Sequence, residues 1–185
     1  MPRSLQMRQT KQQLRQKFIR ERAALPGDIR LRADKKISEN FLAEFGGADS
    51  YFIYHSFKAE ADTSALILAL LGCGRAVYLP RVEGDDMVAV PYGPLKEGRF
   101  GIMEPCGEAY RGDIEVTVAP LLAVGADGVR LGYGGGYYDR YFARANTLRV
   151  GIGYDFQFTE ELFSEVWDMP LDAFVSESGV RRFVR

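Results

Sequence analysis

The sequence predicts an α/β fold: an open, largely parallel sheet with helices on both faces, preceded by an N-terminal helical pair. Three observations predict it. From about residue 50 onward, short aromatic and β-branched runs alternate with apolar helical stretches, the pattern of a parallel sheet covered by crossover helices. The first 45 residues instead carry two successive helical periodicities. Gly and Pro punctuate most junctions between these segments. At 185 residues the chain matches one domain, 1–185, since domains commonly run to roughly 100–200 residues.

The first helix is expected over 4–23, with Leu14 and Phe18 on one stripe flanked by Lys11, Arg15 and Arg22. Pro26-Gly27 ends it, and a second helix over 28–45 presents Ile37, Phe41, Leu42 and Phe45 before Gly46-Gly47. Residues 51–54 read as a buried strand, and Asp62-Thr63-Ser64 offers N-caps for a helix over 65–71. Strands follow at 76–79 and 88–90, then a loop over 91–113 and a strand at 115–119. A long loop, 120–136, leads to a helix from Tyr137 to about Ala145. A strand at 149–153, a short helix at 159–163 and a last inner strand at 173–176 complete the pattern.

Composition excludes several classes. The longest uncharged apolar run, 65–71, falls far short of the roughly 20 residues that span a bilayer. The N-terminal stretch lacks the apolar core of a secretory signal. Cys73 and Cys106 stand in no metal-ligand spacing beside a single histidine, so two free thiols in a reducing cytoplasm are expected rather than a zinc site or a disulfide framework. No G-x-S-x-G turn supports a triad built on His55. Net charge is -1, which predicts neither a nucleic-acid nor a membrane partner. Charge is nevertheless uneven: residues 1–36 hold eleven Lys/Arg against three acids.

The strongest chemical feature is Arg130-Leu131-Gly132-Tyr133-Gly134-Gly135-Gly136-Tyr137-Tyr138-Asp139-Arg140. Missing Cβ atoms let backbone N–H groups converge on an anion, and the helix start that follows adds positive character. The string is neither a Walker A loop nor the dinucleotide fingerprint, because no Gly-Lys-Ser/Thr follows and Tyr137 replaces the third glycine. Asp139 reads either as a carboxylate complementing the helix dipole or as a Mg²⁺ ligand. Asp172 is a possible second carboxylate. Lys11 and Arg15, one turn apart, are either a solvated pair or phosphate-binding cations. Glu60 follows the first strand, where ligands of parallel sheets bind, and is suited to accept from ring N–H groups.

The string L-G-Y-G-G-G-Y-Y-D-R over 131–140 resembles the signature of the 5-formyltetrahydrofolate cyclo-ligase family. The resemblance spans nearly the whole chain. It includes Lys11-x-x-Leu14-Arg15, the loop bearing Glu60, Asp62 and Thr63, Pro80-Arg81, Gly101-Ile102-Met103-Glu104-Pro105, Pro120-Leu121-Leu122, and Asp168-Met169-Pro170-Leu171-Asp172.

The resemblance implies an ATP- and Mg²⁺-dependent enzyme that cyclises 5-formyltetrahydrofolate to 5,10-methenyltetrahydrofolate and releases ADP and phosphate. It also implies a fold similar to the sugar-phosphate isomerases and CoA-transferases. By position it assigns ATP binding to Lys11, Arg15, Arg130, Leu131, Gly132, Tyr133, Gly134, Gly135, Gly136, Tyr137 and Tyr138. Folate falls to His55, Glu60, Tyr133, Gly134, Gly135, Gly136 and Tyr137, catalytic work to Lys11, Arg15, Arg130 and Tyr137, and metal binding to Asp139 and Asp172. The expected state is a cytoplasmic monomer, with a dimer left open, acting on the two small molecules. The alternative is a non-catalytic nucleotide or folate sensor on the same scaffold.

Overall fold

A central β-strand whose two neighbours lead the chain in opposite directions organises the molecule. The computed structural model describes residues 10–98 and 101–184, so the expected helix before Thr10 lies outside the described residues. Helix α1 (Lys11–Ala24) begins at a capping box: Gln13 N–H donates to Thr10 Oγ1 at 3.2 Å, while Thr10 N–H donates to Gln13 Oε1 at 2.9 Å. Helix α2 (Gly27–Phe45) follows, then β1 (Ser50–Ile53), α3 (Ser64–Gly72), β2 (Ala76–Glu83) and β3 (Asp86–Pro91). The short strands β4 (Leu95–Glu97) and β5 (Met103–Pro105) pair with each other ahead of β6 (Val116–Ala119). Next come β7 (Ala123–Val124), β8 (Arg130–Leu131), α4 (Tyr137–Phe142), β9 (Leu148–Ile152), β10 (Ala173–Ser176) and β11 (Gly179–Arg182).

Seven strands form the main sheet in the order β11-β10-β9-β6-β1-β2-β3. The five inner strands run parallel, and β3 and β11 close the edges antiparallel. Alternation along β1 divides the core. Tyr51 and Ile53 face a layer with Ile37 and Phe41 of α2 and Leu66 and Leu70 of α3. Phe52 points the other way, toward Met87, Ala89 and Ile114 with Tyr138 and Tyr141 packed against them. The expectation of helices on both faces holds for this reason.

The departures from expectation are local. Residues 159–163 form no helix; a 3₁₀ turn at Asp155–Gln157 precedes them instead. Helix α4 is only six residues long. Strand β10 is the last inner strand, as expected, but Gly179–Arg182 adds an unexpected edge strand beyond it. Two loops also contain small ladders. In the 120–136 segment, β7 and β8 form a hairpin whose inner side, Leu122, Ala123, Val129 and Leu131, packs on Leu14 and Phe18 of α1. That second core fixes α1 over the glycine string. No helix among the described residues is long and apolar enough to cross a membrane, and both cysteines are free and exposed.

Candidate functional site

Strand β1 leads through α3 to β2 on one side, whereas its other neighbour, β6, leads to β9. The carboxyl ends of β1 and β6 therefore flank the point where strand order reverses, the place where open α/β sheets bind ligands. The loop carrying His55 and Glu60 leaves β1 there, and Leu121 leaves β6.

Helix α1 closes this crevice from above. With Leu14 and Phe18 buried against the β7–β8 hairpin, the neighbouring helical positions reach the glycine string. Arg15 Nε donates to Gly132 O at 2.9 Å. Arg22 donates through NH1 to Leu121 O at 3.1 Å and through NH2 to the Tyr133 hydroxyl. Gly134 and Gly136 adopt φ of 102° and 69°, conformations that favour glycine, and a Cβ at Gly134 would stand 3.5 Å from the Arg15 guanidinium. Gly136 is the N-cap of α4.

A charged cluster lies beside the loop. Arg130 is buried and donates to Asp139 Oδ1 at 3.0 Å, the same oxygen that accepts Met169 N–H at 3.2 Å. Burial pulls the Arg130 guanidinium below its ordinary pKa, against the charges of Asp139 and, further out, Asp168. Asp168 Oδ2 accepts from Lys11 Nζ at 2.7 Å and from Glu165 N–H at 2.7 Å. Lys11 also meets Glu165 at 2.6 Å. Burial lowers the Lys11 pKa, but its hydrogen bonds to Asp168 and Glu165 outweigh this and hold it above the usual value. Asp139 and Asp168 thus each spend one oxygen on protein donors and keep the other, Oδ2 and Oδ1 respectively, out of these bonds.

The β1 loop is pinned by its own side chains. Thr63 Oγ1 donates to Tyr54 O at 2.8 Å and accepts from Ser56 N–H at 3.1 Å; Ser56 Oγ donates to Asp62 at 2.8 Å. Glu60 accepts from Phe57 N–H at 2.9 Å. Burial nonetheless pushes its carboxyl above the usual range, against that bond and the charge of Arg22. His55 is half-buried on the same loop, near Asp62.

The structure brings together Lys11, Arg15, Arg130, Asp139 and the 131–138 string, with Glu60 and His55 across the crevice. It does not bring Asp172 with them. Asp172 stands at the opposite, amino edge of the sheet, where its carboxylate accepts from Arg149 N–H at 2.8 Å and its backbone pairs with Arg149 and Phe183. Asp168, four residues earlier, is the one that meets Lys11. Tyr138 stacks on Phe52 and packs on Phe142 as part of the core. Tyr133, by contrast, is 56% exposed. Sequence reasoning assigned no role to Asp168, Glu165 or Arg22. For Arg22 a signal existed: it continues the Lys11–Arg15 stripe seven residues on.

The fold and the site define an α/β enzyme of the phosphate-handling kind, with a glycine loop, converging arginines and a carboxylate pair at a strand switch point. The family profile described as 5-formyltetrahydrofolate cyclo-ligase matches residues 7–177. A 5-formyltetrahydrofolate cyclo-ligase of Haemophilus influenzae is 32% identical over 88% of this chain and 95% of its own length. The protein of that name from Escherichia coli strain K12 is 35% identical over 72% of this chain and 80% of its own. The solved structure of Aquifex aeolicus 5,10-methenyltetrahydrofolate synthetase is similar at a TM-score of 0.83 and 35% identity, covering 95% of this chain and 93% of that one. A Mycoplasma pneumoniae 5,10-methenyltetrahydrofolate synthetase shares the fold at a TM-score of 0.76 and 23% identity, covering 91% and 99% of the two chains. The chain belongs to the 5-formyltetrahydrofolate cyclo-ligase family and is an enzyme.

Proposed function

We propose that this chain converts 5-formyltetrahydrofolate and ATP to 5,10-methenyltetrahydrofolate, ADP and phosphate in the crevice between β1 and β6. The observation that carries this reading is the bond from Arg15 to Gly132, which sets a cationic helix face against the glycine loop. Family membership supports the overall conversion. The loop, the cations and the carboxylates support a phosphoryl-transfer route.

The formyl group on N5 is an amide whose oxygen leaves poorly. The formyl oxygen attacks the γ-phosphorus, the bond to the bridging oxygen breaks, and ADP departs. N10 then attacks the formyl carbon and gives up its proton. The C–O bond breaks with its electron pair going to oxygen, and phosphate leaves. The protein's part is to orient two anionic ligands in line and to neutralise charge. Lys11, Arg15 and Arg130 serve the phosphates, with backbone N–H groups of 132–136. Tyr137, beside Arg140 at 5.0 Å, and exposed Tyr133 offer ring surface at the loop. Glu60 accepts from the folate ring, and His55 lines the same wall.

Mg²⁺ fits this donor set. Such an ion takes one or two carboxylates and completes its shell with phosphate and water. Asp139 and Asp168 are the residues that would hold it, each with an oxygen outside its protein bonds. When bound, the ion neutralises phosphate charge.

The test is growth of near-ultraviolet absorbance from the methenyl product, with ATP and metal omitted in turn. Growth that needs both supports the reading; growth without ATP, or none from folded protein that binds both ligands, refutes it.

A further inference from the structure

Arg22 is 2% exposed and buried at the last turn of α1, yet among the described residues it pairs with no carboxylate. Its two protein acceptors are neutral, the Leu121 carbonyl and the Tyr133 hydroxyl. Among the described residues its Nε–H has no acceptor although it is shielded from solvent, a feature it shares with Arg130. Burial of a cation without an anion is costly, and surplus buried donors are rare in folded chains. The other buried arginine of the site, Arg130, has its carboxylate. Among the described residues Arg22 therefore stands out as a buried charge without a counter-ion.

Its position says where that counter-ion arrives. Leu121 follows β6 by two residues, Tyr133 belongs to the glycine loop, and Glu60 lies on the loop after the adjacent strand β1. The Glu60 carboxyl senses the Arg22 charge without forming an ion pair with it. Arg22 thus sits at the junction between the walls assigned to nucleotide and to folate.

We infer that Arg22 is a catalytic residue whose guanidinium contacts the oxygen that passes from the formyl carbon to phosphorus. This rests on the phosphoryl-transfer reading above. That oxygen is nearly neutral in the amide and gains charge as the C–O bond breaks and phosphate leaves. A fixed buried cation there favours the departing phosphate over the bound substrates, so it acts on turnover more than on binding.

The experiment compares wild type with Arg22→Met, Arg22→Lys and Tyr133→Phe in the methenyl absorbance assay, alongside ADP titration and thermal melting. Arg22→Met is expected to lower kcat by roughly 10²- to 10³-fold, with ADP affinity held within about threefold. Tyr133→Phe should cost less than about tenfold. Three results would overturn the inference. One is an Arg22→Met protein that melts like wild type and keeps kcat within about threefold. Another is a Tyr133→Phe loss equal to that of Arg22→Met with no further loss in the double variant, which would make Arg22 an anchor for the loop. The third is collapse of ADP affinity with kcat intact, which would make it a ground-state phosphate clamp. Should Arg22→Met fail to fold, Arg22→Lys decides, since it keeps the charge and loses the fork. A kcat loss of about tenfold or more with unchanged melting is expected, and unaltered kcat overturns the assignment. ATP-independent turnover by wild type would instead bring down the underlying reading.

Discussion

Arg15 on the first helix donates to the carbonyl of Gly132, 117 residues away in sequence, at 2.9 Å. This one bond joins the helix that lies over the β7–β8 hairpin to the glycine string, and it leaves the rest of the guanidinium facing Gly134. Arg15→Ala should raise the KM for ATP by roughly 10- to 100-fold, the range of one or two charge-assisted hydrogen bonds. The melting temperature should change little. Steady-state kinetics at fixed folate substrate measure it.

The docking of α1 rests on two side chains. Phe18 is 1% exposed and packs with Leu14 against Leu122, Val129, Leu131 and Leu162. Phe18→Ala should cost about 3–5 kcal/mol by urea unfolding. ATP affinity should fall as well, because Lys11 and Arg15 lose their platform. Loss of stability with ATP affinity preserved would show that α1 does not position these cations.

The carboxylates separate by place. Asp139→Asn and Asp168→Asn should each lower turnover by roughly 10²-fold or more, the scale of losing a group that stabilises transition-state charge. Asp172→Asn should retain turnover within about tenfold, because its carboxylate serves the β9–β10 edge. Excess Mg²⁺ should partly restore the first two. Equal losses in all three variants would contradict this arrangement.

Glu60 carries a stability cost for its role. Its folded-state pKa is raised by burial, so the folded protein binds the proton more tightly than the unfolded chain does. Stability linked to this group is therefore lost as pH rises through the ordinary glutamate value of about 4.3 toward the raised one. Glu60→Gln should raise Tm at pH 7, with the gain shrinking as pH falls to roughly 4. It should also weaken folate binding at neutral pH, where the carboxylate is the acceptor. Melting scans across pH and folate titrations test the two halves.

What could be read from the sequence followed from how local each signal was. Leu14 and Phe18 at helical spacing and the alternation in Tyr51-Phe52-Ile53 announce buried faces without any knowledge of partners. The glycine string announces itself because few other residues tolerate its backbone. Strand β11 was not legible: Gly179-Val180-Arg181-Arg182 is polar, and only its pairing with β10 makes it a strand. The helix expected at 159–163 fails because Leu162 is taken up by the hairpin core and the chain turns at Asp155–Gln157 instead. Asp168 and Asp172 lie in one short motif, and spacing alone does not say which turns toward the loop. The choice is made by Lys11, which comes from the other end of the chain to meet Asp168. Arg22 was hidden for a related reason. A basic residue beside an apolar stripe is usually solvated, and here the Leu121 carbonyl and the Tyr133 hydroxyl hold it in place.

The most direct test of the central claim follows the formyl oxygen. Substrate carrying ¹⁸O in the formyl group, converted with MgATP, should yield phosphate bearing the label and ADP without it. Label appearing in water, with unlabelled phosphate, would contradict transfer of the phosphoryl group to the formyl oxygen and with it the roles given to the loop and its arginines.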